Sequence, residues 1–265
     1  MNQGFEWRPI EGPYRRLTAA QAESYNDRGF FILEDAVAPD LLGRVIAEID
    51  PLEEKTEAML AEQEGGRLFI NRAGELTFTT HLVRESRLLR EFVMGPTFQD
   101  LAFDILGPDV RLYWDQAVYK KPGAQEEFPW HQDNGYTFID PQQYLTCYLA
   151  LTDVSLENGC PEIMPGEHQR GTLMHTLTDL GFRCAPSDVS GVTAEARAGS
   201  IIVFSSLTPH RTGPNLTGDV RKAYIVQFAP DGVGLVFRDD QGIEKRIPAT
   251  DPARQFSVLV DGRPA

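Results

Sequence analysis

Two side chains that commonly bind metals, His131 and Asp133, are separated by one residue in the sequence. On an extended strand both point to the same face, where an imidazole nitrogen and a carboxylate oxygen can reach one ion. His210 is the best third ligand, because it follows the apolar run 199–204 and a turn, and the end of a core strand is a rigid position. Two histidines and one carboxylate on one face of iron leave positions open for a co-substrate and oxygen. We therefore predict that these three residues bind iron(II) and form the catalytic centre.

A candidate for anion binding follows the third ligand. Arg221 lies eleven residues after His210, at the start of the next apolar strand. A guanidinium is always charged and binds a carboxylate through two parallel hydrogen bonds. If the two strands pair, Arg221 reaches the floor of the cavity and holds the far carboxylate of a dicarboxylic acid whose other end chelates iron. Without the histidines, a surface arginine would be the simpler interpretation.

The elements before residue 107 are predicted to be mostly helical. A capping box at Thr18 starts a first helix, and a short apolar strand follows over 30–33. A second helix begins at Pro39, and Pro51 is expected to kink or end it. A further helical stretch covers 88–106 and is interrupted near its middle by a Gly-Pro pair.

The character of the sequence changes after residue 107, where short β-rich runs alternate with Gly, Pro and Asn. No helical pattern alternates with these runs, so an antiparallel sandwich or jelly roll is favoured over a parallel sheet. The strand candidates are 110–119, 144–151, 160–164, 200–204 and 222–228. We expect one domain over residues 1–265, with a helix-rich N-terminal layer (1–107), a β core (108–230) and a C-terminal segment (231–265) that adds a hairpin or a lid.

Composition excludes several classes of partner. The chain has 265 residues, of which 42% are hydrophobic, and this suffices for one sizeable core. A net charge of −14 argues against nucleic acid as a partner. No run approaches the roughly 18 apolar residues of a membrane helix, and residues 1–16 lack the apolar centre of a signal peptide. The three cysteines follow no disulfide or zinc spacing, so we expect reduced thiols and a cytoplasmic location.

The candidate residues lie in strings that together resemble the phytanoyl-CoA dioxygenase family of iron(II)/2-oxoglutarate oxygenases. The strings cover about residues 110–230 in the family's order, and the segment 27–33 is similar to the family's opening strand. The strings are Trp130-His-Gln-Asp133, Glu157-Asn-Gly-Cys160, Pro165-Gly-Glu-His168, Gly199-Ser-Ile-Ile-Val-Phe204, and residues 210–215 followed by Arg221.

This resemblance implies a mainly β fold with helices (α+β), a cupin-like double-stranded β-helix or jelly roll under an N-terminal helical layer. It implies Fe(II), 2-oxoglutarate as co-substrate and O2, with hydroxylation of a C–H bond and release of succinate and CO2. Arg221 would hold the co-substrate's far carboxylate, and Thr212, Tyr148 and Gln116 match positions in the same pocket. Asp133 stands where related halogenases have a small residue, so the resemblance favours oxygenation.

Substrate contacts are predicted beside the metal and in the N-terminal layer. The residues are Trp130, Asn134, Tyr136, Asn71 and Arg72. The connection 167–198 is long and has no periodicity, which is typical of a lid or binding loop, although an insertion without function is the alternative. The partner is expected to be a small molecule, and the protein a monomer or homodimer.

Other interpretations of the same residues stay open. Enzymes of the same fold and cofactor also catalyse desaturation, cyclisation or epimerisation. A cupin-like metal hydrolase or isomerase would use the three ligands with zinc or manganese and would not need Arg221. A non-catalytic small-molecule binding protein would be expected to lack a ligand, whereas all three are present.

Overall fold

The computed structural model describes residues 4–265, so the first three residues of the segment predicted to lack a signal peptide lie outside it. Within this range four α-helices precede residue 107, and a fifth, single-turn α-helix lies beside the predicted metal site. The helices are α1 (Ala19–Arg28), α2 (Pro39–Ala61), α3 (Arg87–Val93), α4 (Pro96–Leu106) and α5 (Asp133–Tyr136). None of them combines the length and apolar character that crossing a membrane requires.

Local sequence signals set the first helix boundaries. Thr18 caps α1 through the predicted capping box, and Gly29 ends the helix with φ 83°. A side chain at Gly29 would lie 2.6 Å from Thr208 Oγ1 and 2.7 Å from His168 Nδ1, so only glycine fits this close approach. Pro39 is at the start of α2, where its missing N–H costs nothing.

Of the two outcomes predicted for Pro51, a kink or the end of the helix, the end is wrong, because α2 runs through the proline to Ala61. Proline removes one helical hydrogen bond, but the residues beyond it pack against the sheet. Glu53 is buried and accepts hydrogen bonds from Thr77 Oγ1 (2.7 Å) and Lys121 Nζ (2.6 Å). These tertiary contacts hold the helical turns that follow the proline.

Most strands are short, as the punctuation of the sequence predicts. In chain order they are β1 (Phe30–Leu33), β2 (Arg67–Leu68), β3 (Asn71–Arg72), β4 (Leu76–Thr80), β5 (Val110–Lys120), β6 (Phe128–His131), β7 (Ile139–Asp140), β8 (Leu145–Ala150), β9 (Pro161–Ile163), β10 (Thr176–Thr178), β11 (Gly181–Arg183), β12 (Val192–Thr193), β13 (Ile201–Ser205), β14 (His210–Thr212), β15 (Arg221–Pro230), β16 (Gly234–Arg238), β17 (Glu244–Pro248), β18 (Ser257–Val260) and β19 (Arg263–Pro264). Of these strands, only β5 and β15 reach ten residues or more. All five predicted strands of the core are present within one or two residues of their expected bounds.

Two antiparallel sheets enclose the interior. The major sheet has the order β1-β13-β8-β15-β5-β4-β3-β2, and β18 also pairs with β5; the minor sheet has the order β12-β9-β14-β6. Tyr148 and Ile225 of the major sheet pack with Phe128 of the minor sheet in the core between them. The other face of the major sheet packs residues such as Val226 against the N-terminal helices, including Ile49 of α2. The predicted double-stranded β-helix under a helical layer is therefore confirmed.

Three features of the fold differ from what the sequence predicts. The N-terminal layer contributes β2, β3 and β4 to the major sheet, although its sequence was interpreted as mostly helical. The connection 167–198 contains the hairpin β10–β11. The predicted C-terminal hairpin is present as β16–β17, and β18 extends the major sheet beyond it.

Candidate metal and co-substrate site

The three predicted ligands converge where the minor sheet ends. His131 is the last residue of β6, His210 is the first of β14, and the two are opposite each other in the antiparallel pair. Asp133 Oδ1 lies 3.8 Å from His210 Nε2, and one potential ligand atom from each residue lies within 4.8 Å of the others. Among residues 4–265 this is the only such group of three acidic, histidine or cysteine side chains.

The prediction that His131 and Asp133 lie on the same face of one strand is wrong. Strand β6 ends at His131, and Asp133 begins the single turn α5, so the two do not share a strand face. Gly135 in this turn is required, because a Cβ there would lie 2.1 Å from the ring of His175. The turn brings the carboxylate back toward the imidazoles.

Both imidazoles present the same nitrogen to the site. Nδ1 of His131 lies 2.8 Å from the carbonyl oxygen of Pro129, and Nδ1 of His210 lies 3.0 Å from that of Thr208. A carbonyl only accepts, so each Nδ1 carries the proton and each Nε2 keeps a lone pair for a metal. Burial, reinforced by the neighbouring His210, holds the pKa of His131 well below its usual value, which keeps this ring in the neutral, ligating form.

The carboxylate of Asp133 is oriented by a threonine that sequence analysis missed. Thr146 on β8 is fully buried, and its hydroxyl donates to Asp133 Oδ2 at 2.5 Å. This leaves Oδ1 directed toward His210. A lone threonine at an inward position of the apolar run 144–151 was the only available signal.

We expect Thr146→Val to weaken iron(II) binding by roughly ten- to a hundredfold, the usual effect of losing a hydrogen bond to a ligating carboxylate. Valine keeps the shape of threonine but cannot donate to Oδ2. Anaerobic iron(II) titration of both proteins measures the change. Thr79→Val, at a buried threonine hydroxyl that bonds Thr56 Oγ1 away from the site, is the control and should leave iron affinity unaltered.

Arg221 begins β15 and is buried, but the strand pairing expected for it is wrong, because β15 belongs to the major sheet whereas β14, which begins with His210, belongs to the minor sheet. The side chain of Arg221 is 1% exposed, and Nη1 donates to the Tyr148 hydroxyl at 2.7 Å. In the described part of the chain, Nε and Nη2 have no hydrogen-bond partner. Because the phenol accepts from arginine, its own proton is free to donate to an anion. A carboxylate matches this set of unused donors in both charge and geometry.

Gln116 and Thr212, the two weaker predictions for this pocket, belong to the major and the minor sheet, respectively. Gln116 on β5 is opposite Ile225, which is opposite Tyr148, so the three side chains form one row across the major sheet. Gln116 Oε1 accepts from Trp114 Nε1 at 3.1 Å. Thr212 follows His210 by two residues on β14 and ends that strand next to Phe128.

Two of the predicted substrate contacts have structural roles instead. Trp130 is fully buried on the face of β6 opposite to His131, where its Nε1 donates to the Val189 carbonyl at 3.2 Å and Arg211 covers its ring. Asn134 is also fully buried, and its amide bonds Thr172 Oγ1 at 2.7 Å and the Ile139 backbone N–H at 3.0 Å. Neither side chain faces the metal site with a free group. Strand alternation and the loop contacts, both unknown from sequence, account for these errors.

Tyr136 does lie over the metal site. Its ring is edge-on to His131 at 5.3 Å and stacked on Phe128 at 6.1 Å. Its hydroxyl accepts from the Phe182 backbone N–H at 3.2 Å, which ties the hairpin β10–β11 to the site. The hairpin of segment 167–198 therefore packs against the predicted metal site, with the Phe182 ring 5.2 Å from that of Tyr136, and a lid function for this segment stays a prediction.

The N-terminal candidates support this hairpin and the sheet. Arg72 is 5% exposed, donates to the Asp179 carbonyl at 2.9 Å and pairs with Glu126 at 3.3 Å. Asn71 Oδ1 accepts from the Phe78 backbone N–H at 2.7 Å. Direct substrate contact by either residue stays a prediction.

His175, which belongs to none of the sequence motifs, has a positioning role in the structure. Its Nε2 accepts from the Gln132 backbone N–H at 3.0 Å, and its Nδ1 donates to the Leu173 carbonyl at 2.9 Å. It therefore holds the turn between the first two metal ligands. Only the tertiary structure could reveal this, since no motif surrounds His175. His168 lies elsewhere, with Nε2 bonded to the Asn26 carbonyl at 3.0 Å.

The sequence model of the Phytanoyl-CoA dioxygenase (PhyH) family matches residues 25–223 of this chain. A phytanoyl-CoA dioxygenase of Arabidopsis thaliana is 30% identical over 186 residues, which is 68% of this chain and 63% of the relative. The chain therefore spans slightly less than two thirds of this plant relative's length.

Two solved structures share the fold. SnoK, a non-haem alpha-ketoglutarate-dependent carbocyclase from nogalamycin biosynthesis, aligns with a TM-score of 0.69 and 22% identity, over 85% of this chain and 89% of its own. The epimerase SnoN, solved with Fe3+, alpha-ketoglutarate and nogalamycin RO, aligns with a TM-score of 0.68 and 19% identity, over 90% of this chain and 97% of its own.

Proposed function

The chain belongs to the phytanoyl-CoA dioxygenase family, and we therefore propose that it is an iron(II)- and 2-oxoglutarate-dependent dioxygenase. The proposed reaction hydroxylates a C–H bond of a small molecule and releases succinate and CO2. His131, Asp133 and His210 bind the iron, and Arg221, Tyr148 and Thr212 hold the co-substrate. Gln116 contributes to the same pocket.

The buried guanidinium of Arg221 is the observation that carries this proposal. Among the described residues, the neutral phenol of Tyr148 is the only hydrogen-bond partner of the guanidinium, and Nε and Nη2 have no partner. A buried charge without a counter-ion costs several kcal/mol, so an anion is required for this arrangement to be favourable. An oxygenase with a dicarboxylate co-substrate needs such an anion beside the three metal ligands, whereas a metal hydrolase, a metal isomerase or a binding protein does not.

The spacing between the two ends of the site fits a short dicarboxylate. Thr146 contacts Asp133, and Tyr148 contacts Arg221, and both lie on the same face of β8. Two residues along a strand span about 6.7 Å. A five-carbon dicarboxylate bridges this distance, with its 2-oxo acid end at the metal ligands and its far carboxylate at Arg221.

Each residue has a definable part in the reaction. Bound iron supplies the oxygen activation that couples decarboxylation of 2-oxoglutarate to oxidation of the substrate. Arg221 neutralises and orients the far carboxylate, and the Tyr148 hydroxyl donates a hydrogen bond to it. Tyr136 and Phe128 cover His131 with aromatic rings, and Phe182 closes the hairpin over them, so water is excluded from the metal face.

The substrate is proposed to be a small molecule that enters beside Tyr136 and Phe182. The overall charge of −14 supports this against nucleic acid. A monomer or homodimer in the cytoplasm stays a prediction. Because SnoK is a carbocyclase and SnoN an epimerase, product analysis must separate hydroxylation from desaturation, cyclisation and epimerisation.

Anaerobic titration with Fe(II) and 2-oxoglutarate tests the proposal. We expect a visible charge-transfer band that needs both components, because it arises when the 2-oxo acid chelates iron(II) that the three protein ligands hold. A hydrolase or isomerase with the same ligands would bind metal and give no such band. Absence of the band at saturating concentrations of both components would refute the proposed function.

A further inference from the structure

A second buried cationic side chain, that of Lys120, lies directly opposite Arg221 in the major sheet. Lys120 ends β5, and the antiparallel pairing of β5 with β15 places it in register with Arg221. Each of the two side chains is 1% exposed. Residues directly opposite on neighbouring strands have Cβ atoms about 5 Å apart, and like charges in this position are destabilising.

The contacts of Lys120 do not compensate its charge. Its Nζ donates to the carbonyl oxygens of Glu126, at 3.0 Å, and of Gly213. Both acceptors are neutral, and among the described residues no carboxylate forms an ion pair with Lys120 or Arg221. An ammonium has three donors, so one N–H of Lys120 is left over. Gly213 directly follows Thr212, which places this ammonium at the carboxylate end of the proposed co-substrate pocket.

Arg72 provides an internal comparison. It lies in the same cross-strand row, since Arg72 is opposite Leu76, and Leu76 is opposite Lys120. Arg72 pairs with the carboxylate of Glu126 at 3.3 Å and donates to a hairpin carbonyl. The carboxylate of Glu126 therefore neutralises Arg72, the outer cation of the row. Neither of the two inner cations, Lys120 and Arg221, forms an ion pair with a carboxylate of the described residues.

We propose that Lys120 is a second positioning cation for the far carboxylate of the co-substrate, which binds between its ammonium and the guanidinium of Arg221. This inference rests on the proposed function. It assigns to Lys120 a role that neither its position at the end of an apolar strand nor the motifs of the sequence indicated.

The charge state of Lys120 supports this role and makes it measurable. Burial, followed by the charge of Arg221, lowers the pKa of Lys120 to about 7, against the opposing effect of Glu127 and Glu126. The other charged groups beside it are Arg72 and Glu75. A carboxylate bound next to the ammonium raises this pKa, so the complex holds more protons than the free protein near neutral pH. Binding of 2-oxoglutarate therefore takes up protons, and its affinity falls as the pH rises above about 7.

Calorimetry of the Fe(II)-loaded protein under anaerobic conditions tests the inference. Titrations at pH 7.5 in two buffers of different ionisation enthalpy give the number of protons taken up. We expect uptake of a substantial fraction of a proton with 2-oxoglutarate, and none with 2-oxovalerate, which has the same 2-oxo acid end but no far carboxylate. This comparison uses only the wild-type protein.

Two variants then assign the effect to Lys120. Lys120→Met and Lys120→Gln should each bind 2-oxoglutarate roughly ten- to a hundredfold more weakly, the effect of losing one hydrogen bond between charged groups. Both should lose the proton uptake and keep their affinity for iron(II) and for 2-oxovalerate. Gln retains donors for the two carbonyls, so it separates the charge from the structural contacts. Lys222→Met is the control, because Lys222 neighbours Arg221 on the opposite face and pairs with Asp50.

The outcomes are distinct. Equal proton uptake with 2-oxoglutarate and 2-oxovalerate, or variants that bind 2-oxoglutarate like the wild type, would overturn the role of Lys120 alone. A wild-type protein that binds iron(II) but no 2-oxoglutarate would instead overturn the proposed function.

Discussion

Asp133→Ala is expected to lower iron(II) affinity by more than about a hundredfold and to abolish turnover. The substitution removes the only anionic ligand of the three and leaves the imidazoles of His131 and His210, each with its Nδ1 bonded to a backbone carbonyl. The loss should exceed the ten- to hundredfold effect of removing a hydrogen bond to a ligand. Anaerobic equilibrium dialysis with iron(II), followed by an assay of succinate release, measures both consequences.

A matched control separates this effect from the loss of one negative charge. Asp140→Ala removes an exposed carboxylate that pairs with Arg246 at 3.0 Å and lies away from the ligands. We expect its iron affinity to be that of the wild type. If Asp133→Ala also retains wild-type iron affinity, the assignment of the metal site is wrong.

Arg221→Met is expected to raise the dissociation constant of 2-oxoglutarate by roughly thirty- to a thousandfold, which corresponds to about 2–4 kcal/mol for a buried charge pair. Methionine approximates the volume of the apolar stem but offers no donor to a carboxylate. Iron(II) affinity should be retained, because Arg221 contacts Tyr148 and none of the metal ligands. Titration of the charge-transfer band at fixed iron(II) measures the shift.

The stability of the ligand-free variant adds a second readout. Since the guanidinium of Arg221 is buried without an anion, its removal should leave the free energy of unfolding equal to or above that of the wild type. Arg87→Met, at a 90% exposed side chain in α3, serves as control and should leave co-substrate binding unchanged. A markedly less stable Arg221→Met protein with normal 2-oxoglutarate affinity would mean that Arg221 is a structural residue.

The sequence predicted the chemistry of the site better than the path of the chain around it. His131, Asp133, His210 and Arg221 were predicted from residue type and order, because few side chains can bind iron or a buried carboxylate. The strand bounds of the core also followed from apolar runs between Gly and Pro. By contrast, α2 continued through Pro51, since its buried face gains more from packing than one helical hydrogen bond is worth.

The errors at the site share one cause, which is that the direction of a side chain depends on pairing and on loop contacts. Trp130 and His131 are adjacent in sequence, yet strand alternation turns one to the outer face and the other to the metal site. Asn134 was expected to contact substrate, but its amide is used to hold the turn and the loop at Thr172.

The sequence by itself determined the β-rich core and predicted the three metal ligands and the arginine of the proposed anion site, because these depend on residue identity and local pattern. Only the tertiary structure decided which side chains support them. Thr146 orients Asp133, His175 holds the turn between the ligands, and Lys120 stands opposite Arg221. Each of these relations joins residues distant in sequence through strand register or loop packing, and no local pattern specifies that register.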